Sequence, residues 1–229
     1  QFLRTPQQWV QFLLLGFFIA VYLINLSRGH LHFDELSSFW RTTIYIFNFG
    51  FTGFILAALT ARFVYPMISM EGRSLWLLQM APFSMKRVFV EKFWFAFFVL
   101  FTMTEIVALI SNFFLGQRLE VSLLASGFLL LTSLSLISLS LGLGAVYAQF
   151  NETNPMKISS GYGGIITVVL SLIYVAFSVT SLVLVINLYQ NHGSGVVIGI
   201  IVGFVLVLTA LYTWLPLKWG IRAISSYER

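Results

Sequence analysis

Apolar residues run through the chain in six long, nearly unbroken stretches, separated by short polar or charged segments. The stretches lie at Trp9–Leu26, Thr43–Ala61, Phe93–Phe114, Leu123–Val146, Ile165–Leu188 and Val196–Leu215. A hydrocarbon layer of about 30 Å takes ~20 residues of apolar helix to cross, so each stretch predicts a transmembrane helix. The runs are continuous and lack the alternation, over segments of about ten residues, that marks strands of a membrane barrel. The pattern predicts an all-α integral membrane protein. It is a six-transmembrane-helix bundle forming a single domain over residues 1–229, with a short amphipathic helix on the connection between helices two and three.

Composition strengthens this reading. Hydrophobic residues make up 59% of the chain and charged residues only 9%, against about 25% charged in a soluble domain. So few charges cannot cover a water-facing surface, and lipid must be the solvent for much of the molecule. The chain has no cysteine, which excludes a disulfide framework, an iron–sulfur cluster and a cysteine nucleophile. The first apolar run is as long as a full span and lacks a small-residue cleavage site, so it does not read as a cleavable signal. The first residue is Gln1 rather than Met, consistent with processing or with a longer polypeptide.

Positive charge sets the orientation. With both termini cytoplasmic, the inner side holds Arg4, Arg62, Arg73, Lys86, Arg87, Lys92, Lys157, Lys218, Arg222 and Arg229, and the outer side only Arg28, Arg41 and Arg118. Trp9, Trp40, Trp94, Trp214 and Trp219 fall near helix ends, where an amphipathic ring prefers the interface. The expected location is a bacterial plasma membrane, crossed several times.

Small residues mark candidate helix contacts, because lipid supplies no hydrophobic drive for helix association. Gly195, Gly199 and Gly203 recur every four residues in the sixth span. Gly50, Gly53, Ala57 and Ala61 line one side of the second, and Gly16 and Ala20 sit in the first. The fourth carries Thr132, Ser133, Ser135, Ser138 and Ser140 before Gly142 and Gly144. Bundle packing accounts for these; a subunit interface on the sixth span and a polar translocation wall on the fourth are the sharper alternatives.

The connection after the second span is distinctive. Leu75, Leu78 and Met80 are interspersed with Glu71, Arg73 and Gln79, which predicts an amphipathic helix from about Glu71 to Gln79. It ends before Pro82, which disfavours helix at the preceding residue. Ser84 then has the chemistry of an N-cap for a helix running from about Met85 into span three, its first turns projecting below the bilayer. Two readings stand. The short helix receives force from a cytoplasmic partner through Trp76 and Leu77, or it lies on the membrane with Lys86 and Arg87 against anionic headgroups.

The run Ser69-Met70-Glu71-Gly72-Arg73, then Trp76 and Leu78, Ala81-Pro82 and Ser84, and Glu91-Lys92-Phe93 resembles the permease subunits of type-two ABC exporters. Arg4-Thr5-Pro6-Gln7-Gln8-Trp9 is similar to that family's lead-in. Gly142 to Tyr147, Asn154-Pro155 and Ser159 to Gly164 are similar to its link between spans four and five. Most like this chain is the C-terminal half of permeases of roughly double the length. The resemblance implies a cytoplasmic coupling helix docking on a separate ABC-type ATPase subunit through Glu71, Gly72, Arg73, Trp76, Pro82, Lys86 and Arg87. It further implies a second permease half or a homodimer partner, surrounding membrane lipid, and ATP and Mg bound by the ATPase rather than by this chain. The implied function is that of a transmembrane permease subunit of an ATP-driven exporter, not an enzyme, working by alternating access on a substrate the sequence does not name.

The residues themselves agree that nucleotide chemistry is not encoded here. There is no Gly-x4-Gly-Lys-Ser/Thr loop and no credible Ser/His/Asp set. Thr102, Glu105 and Asn112 fall within about 80° of arc on the third span at 100° per residue, a polar stripe offering a substrate or proton contact, or simply an internally bonded acid. His30, His32, Asp34 and Glu35 cluster in the first outer loop but read as solvated rather than as a metal site. Asn151-Glu152-Thr153 matches a glycosylation acceptor on the side expected to be cytoplasmic, so no glycan is expected. Nothing indicates nucleic-acid binding. An ion-gradient-driven secondary transporter is the alternative, disfavoured by the single mid-span acid and by spans free of proline; a non-transporting membrane scaffold is another.

Overall fold

The computed structural model of the chain describes residues 16–17, 19–27, 38–74, 85–152, 154–190 and 195–226. Among these every regular element is helical. We label the helix at 19–27 α1, Ser38–Leu59 α2, Met85–Phe114 α3, Leu119–Val146 α4, Pro155–Ser159 α5, Tyr162–Gln190 α6 and Gly195–Ser226 α7. Five helical stretches are long and apolar enough to cross a membrane: Thr43–Gly72, Met85–Phe114, Leu119–Val146, Tyr162–Tyr189 and Gly195–Ser225. They match the second to sixth expected spans and fit a membrane protein. The first half of the first expected span lies outside the described residues; its last turns are helical.

Of two boundaries, one meets the sequence expectation and one differs from it. α3 runs unbroken from Met85, as the capping pattern predicted. α7 continues past Leu215 to Ser226, carrying Pro216 inside it. Proline removes the hydrogen bond to the carbonyl four residues earlier and crowds it, yet the helix survives because the site is tightly packed. A Cβ on Gly142 would lie 2.3 Å from the Pro216 carbonyl oxygen.

The bundle is organised around α4. Its apolar window is 78% buried, whereas that of α7 is 11% buried, so α4 is the core and α7 a lipid-facing wall. α4 packs against α7, α6 and α3, while α2 packs against α6 and α3. Leu136, Ile137, Leu141 and Ala145 of α4 are fully buried. The small face of α2 is used as predicted: Gly53 abuts Val175 of α6, leaving only 2.8 Å for an added Cβ. The glycines of the sixth span are not used this way. A Cβ at Gly195, Gly199 or Gly203 would meet nothing within 4 Å, so no described helix of the chain packs there.

The hydroxyls of α4 are buried, but they line a packed seam rather than a wall open to water. Thr132, Ser133 and Ser138 donate to the carbonyls of Phe128, Leu129 and Leu134 at 2.7, 2.8 and 2.6 Å, which satisfies these three within their own helix, while the buried Ser135 and Ser140 hydroxyls have no hydrogen-bond partner among the described residues. Thr132 also meets Ser178 of α6 at 2.8 Å, and Tyr174 of α6 meets Thr209 of α7 at 2.7 Å.

Candidate functional site

The motif between helices two and three has a definite local structure up to residue 74. After Leu59 the helix widens into a π turn, Thr60–Val64, and then tightens into two 3-10 turns, Tyr65–Met67 and Ser69–Ser74. Pro66 stands at the start of the first 3-10 turn, where an α-helical bond to its nitrogen is impossible; a π turn commonly absorbs such a break. The tail then folds against two neighbouring elements. Lys92 of α3 reaches across, and its Nζ donates to the Met67 carbonyl at 3.0 Å and pairs with Glu71 Oε1 at 2.5 Å. Ser69 is buried, and its Oγ accepts a hydrogen bond from the Gln149 backbone N–H at 3.0 Å. Gly72 lies against Phe150, whose carbonyl oxygen would be 2.4 Å from an added Cβ; only glycine permits that approach.

The link beyond α4 completes this end of the bundle. Asn154 caps α5, its Oδ1 accepting from the Met156 N–H at 3.0 Å, with Pro155 at the first helical position, where its missing donor does no harm. Gly163 sits under the Tyr65 hydroxyl, and Gly144 against the Tyr65 carbonyl. Thus Ser69–Ser74, α3, α5 and the start of α6 form one interlocked foot.

The proposed coupling residues are therefore not a single free surface. Glu71 and Gly72 are engaged within the chain. Arg87 pairs with Glu91 at 2.9 Å, and Lys86 is exposed. Arg73 belongs to the last 3-10 turn, while Trp76 and Pro82, with the rest of the expected amphipathic helix, lie outside the described residues. So do His30, His32, Asp34 and Glu35; among the described residues no group of three or more His, Cys, Asp or Glu could hold a metal.

The stripe on α3 is also taken apart by the fold. Thr102 is exposed, Glu105 is partly buried with an Oε2 that has no hydrogen-bond partner among the described residues, and Asn112 is buried. Asn112 belongs instead to a relay that the sequence reading missed. The Tyr22 hydroxyl donates to Asn48 Oδ1, Asn48 Nδ2 to Asn112 Oδ1 at 2.9 Å, and Asn112 Nδ2 to Ser122 Oγ at 3.2 Å. It ties α1, α2, α3 and α4 together at the end opposite the foot, beside a small cavity lined by Tyr45, Gln117, Leu182 and Ile186 among others. Two lone asparagines in apolar spans, Asn48 and Asn112, were the available signal.

The family described as "Putative ATP-binding cassette" matches residues 1–228. The chain belongs to this ATP-binding cassette family. No curated protein and no solved structure matches it. The match corrects the resemblance drawn from short motifs. The family is described as an ATP-binding cassette and not as the permease subunits of type-two ABC exporters, so the assignment as a permease subunit of an ATP-driven exporter is withdrawn. The foot supplies the physical reason why the motif misled. Glu71, Gly72 and Lys92 have full structural employment inside the chain, which accounts for their pattern without an outside motor. The family description names ATP, yet the sequence carries no phosphate-binding glycine loop and the described residues contain no strand.

Proposed function

We propose that this chain is a multi-pass, membrane-embedded helical unit within the ATP-binding cassette family, and that it neither binds nor hydrolyses ATP through its own residues. In this reading it crosses the membrane six times, both termini and the Ser69–Ser74 foot face the cytoplasm, and the foot braces the inner ends of α2, α3 and α6. Nucleotide and Mg are then handled outside residues 1–229, and a second helical bundle or a second copy completes the assembly.

One observation carries the reading: five helices of 28 to 31 residues with apolar surfaces occupy the chain and leave no strand-to-helix phosphate loop among the described residues. Backbone amides of such a loop are what cradle a triphosphate, and a membrane bundle has none to spare. The test uses the full chain in lipid nanodiscs, with fluorescent-nucleotide binding and phosphate release as readouts. No saturable binding and no turnover are expected. Saturable ATP binding or hydrolysis by the purified chain alone would overturn the proposal.

A further inference from the structure

α7 has 32 residues, about 48 Å at 1.5 Å per residue, and so outruns a hydrocarbon core of about 30 Å. Counting ~20 residues from Gly195 brings the helix to Trp214, which leaves the turns from Leu215 to Ser226 at headgroup depth. Trp214, Lys218 and Arg222 follow one another at four-residue spacing there, so they share one face. Pro216 and Gly220 pack against Gly142 and Phe89 and lie roughly 160° around the helix from that row. The cationic row therefore looks away from the bundle. Trp214 is 58% exposed, and the Lys218 ammonium stands 4.2 Å from its ring centroid, drawn back along the helix toward the apolar zone.

Neither cation has a carboxylate of its own among the described residues. The described acids at this end of the molecule are taken: Glu91 by Arg87, Glu71 by Lys92 and Glu152 by Lys157. We propose that the Trp214–Lys218–Arg222 face of α7 is a binding site for the headgroup of an anionic phospholipid. An exposed guanidinium offers a phosphate a planar pair of donors, and an ammonium one turn away adds a second charge. The Trp214 ring fixes the depth at which the phosphate sits. An anionic lipid is preferred over a zwitterionic one because the two charges, unpaired among the described residues, gain less from a headgroup that carries its own ammonium.

Each basic residue near an anionic membrane surface enriches acidic lipid by about fivefold. The experiment counts lipids retained by the full chain in native mass spectrometry after extraction from bilayers of equal phosphatidylglycerol and phosphatidylcholine. Wild-type chain is expected to keep phosphatidylglycerol by roughly tenfold or more, less at high salt. Lys218→Gln with Arg222→Gln should abolish the preference; Lys218→Arg with Arg222→Lys, which keeps both charges, should retain it and serves as the folding control. Inorganic phosphate at the same charge concentration should not displace the lipid. Equal retention of the two lipids by wild type, unchanged preference in the double glutamine variant, or displacement by free phosphate would each overturn the proposal.

Discussion

Gly142 of α4 and Gly220 of α7 meet almost backbone to backbone: a Cβ built on Gly220 would stand 3.0 Å from the Gly142 Cα and 2.9 Å from the Phe89 ring. This is a close point of the seam between the central helix and the lipid-facing wall, and it lies one turn from Pro216, whose carbonyl oxygen would be 2.3 Å from a Cβ on Gly142. Overfilled interiors cost about 1–3 kcal/mol, occasionally more. Gly220→Leu is expected to lower stability by at least the upper end of that range, because backbone on the far side cannot swing away as a side chain could. Thermal unfolding of the detergent-solubilised chain measures it, and an unchanged midpoint would contradict the packing.

Lys92 supports a second prediction. Its side chain is 14% exposed and that of Glu71 is 36% exposed, so the pair is screened on one side only. Removing the ammonium strands both the carboxylate and the Met67 carbonyl. Lys92→Met is expected to cost about 2 kcal/mol, discounted from a fully buried pair for the exposure of Glu71, and Glu71→Gln less, because the amide oxygen still accepts. Unfolding midpoints of the two variants, with trypsin cleavage at Arg73 as a local probe, distinguish a loosened foot from a general loss. Equal cleavage in wild type and Lys92→Met would sink the idea that this lysine pins the segment.

Much of the fold was legible in the sequence because membrane helices are specified by length and apolarity. Five spans appear where the runs placed them, and Met85 begins α3 as the Pro82 and Ser84 pattern indicated. Where reading failed, the missing information was three-dimensional. Thr102 and Asn112 share a helical arc by arithmetic, but the neighbours of α3 bury one and leave the other to lipid. The three glycines of α7 look like a packing motif, yet no described helix arrives to use them, whereas Gly142 carries a close contact between α4 and α7. Glu71 and Lys92 are 21 residues apart, and no periodicity joins them; only the π and 3-10 turns after Leu59 bring the carboxylate under α3.

The asparagine relay should behave as a unit. Asn112→Leu leaves Asn48 Nδ2 without its acceptor and Ser122 Oγ without its donor, and a buried polar group deprived of its partner costs about 1–3 kcal/mol. Asn48→Leu should cost a similar amount. The double variant should cost clearly less than the sum, since each leucine removes the group that the other strands. Strict additivity in unfolding measurements would mean that the two side chains do not meet.

Gly199→Ala tests the opposite case. With nothing within 4 Å of the added carbon, no clash is expected, and alanine in a helix interior gains up to about 1 kcal/mol over glycine. The variant should unfold at the same temperature as wild type or slightly above it. A fall in midpoint for Gly195→Ala, Gly199→Ala and Gly203→Ala together would reveal a helix pressed on that face.

Topology is the remaining prediction, and the composition makes it easy to check, because the chain has no cysteine to remove. Lys157 lies on α5 at the foot and is exposed, while Arg118 is exposed at the turn between α3 and α4, where Gly116 adopts a φ of +61° that glycine tolerates without strain. These residues mark opposite ends of α4, which at 28 residues spans about 42 Å. The charge bias predicts a cytoplasmic Lys157. In sealed spheroplasts, a membrane-impermeant maleimide should label Arg118→Cys at once and Lys157→Cys only after permeabilisation. Both substitutions are at exposed sites, where stability changes are usually within about 0.5 kcal/mol, so a failure to label would not be a failure to fold. Reversed labelling would turn the molecule over in the membrane and place the foot outside; labelling of both positions in sealed spheroplasts would deny that α4 crosses at all.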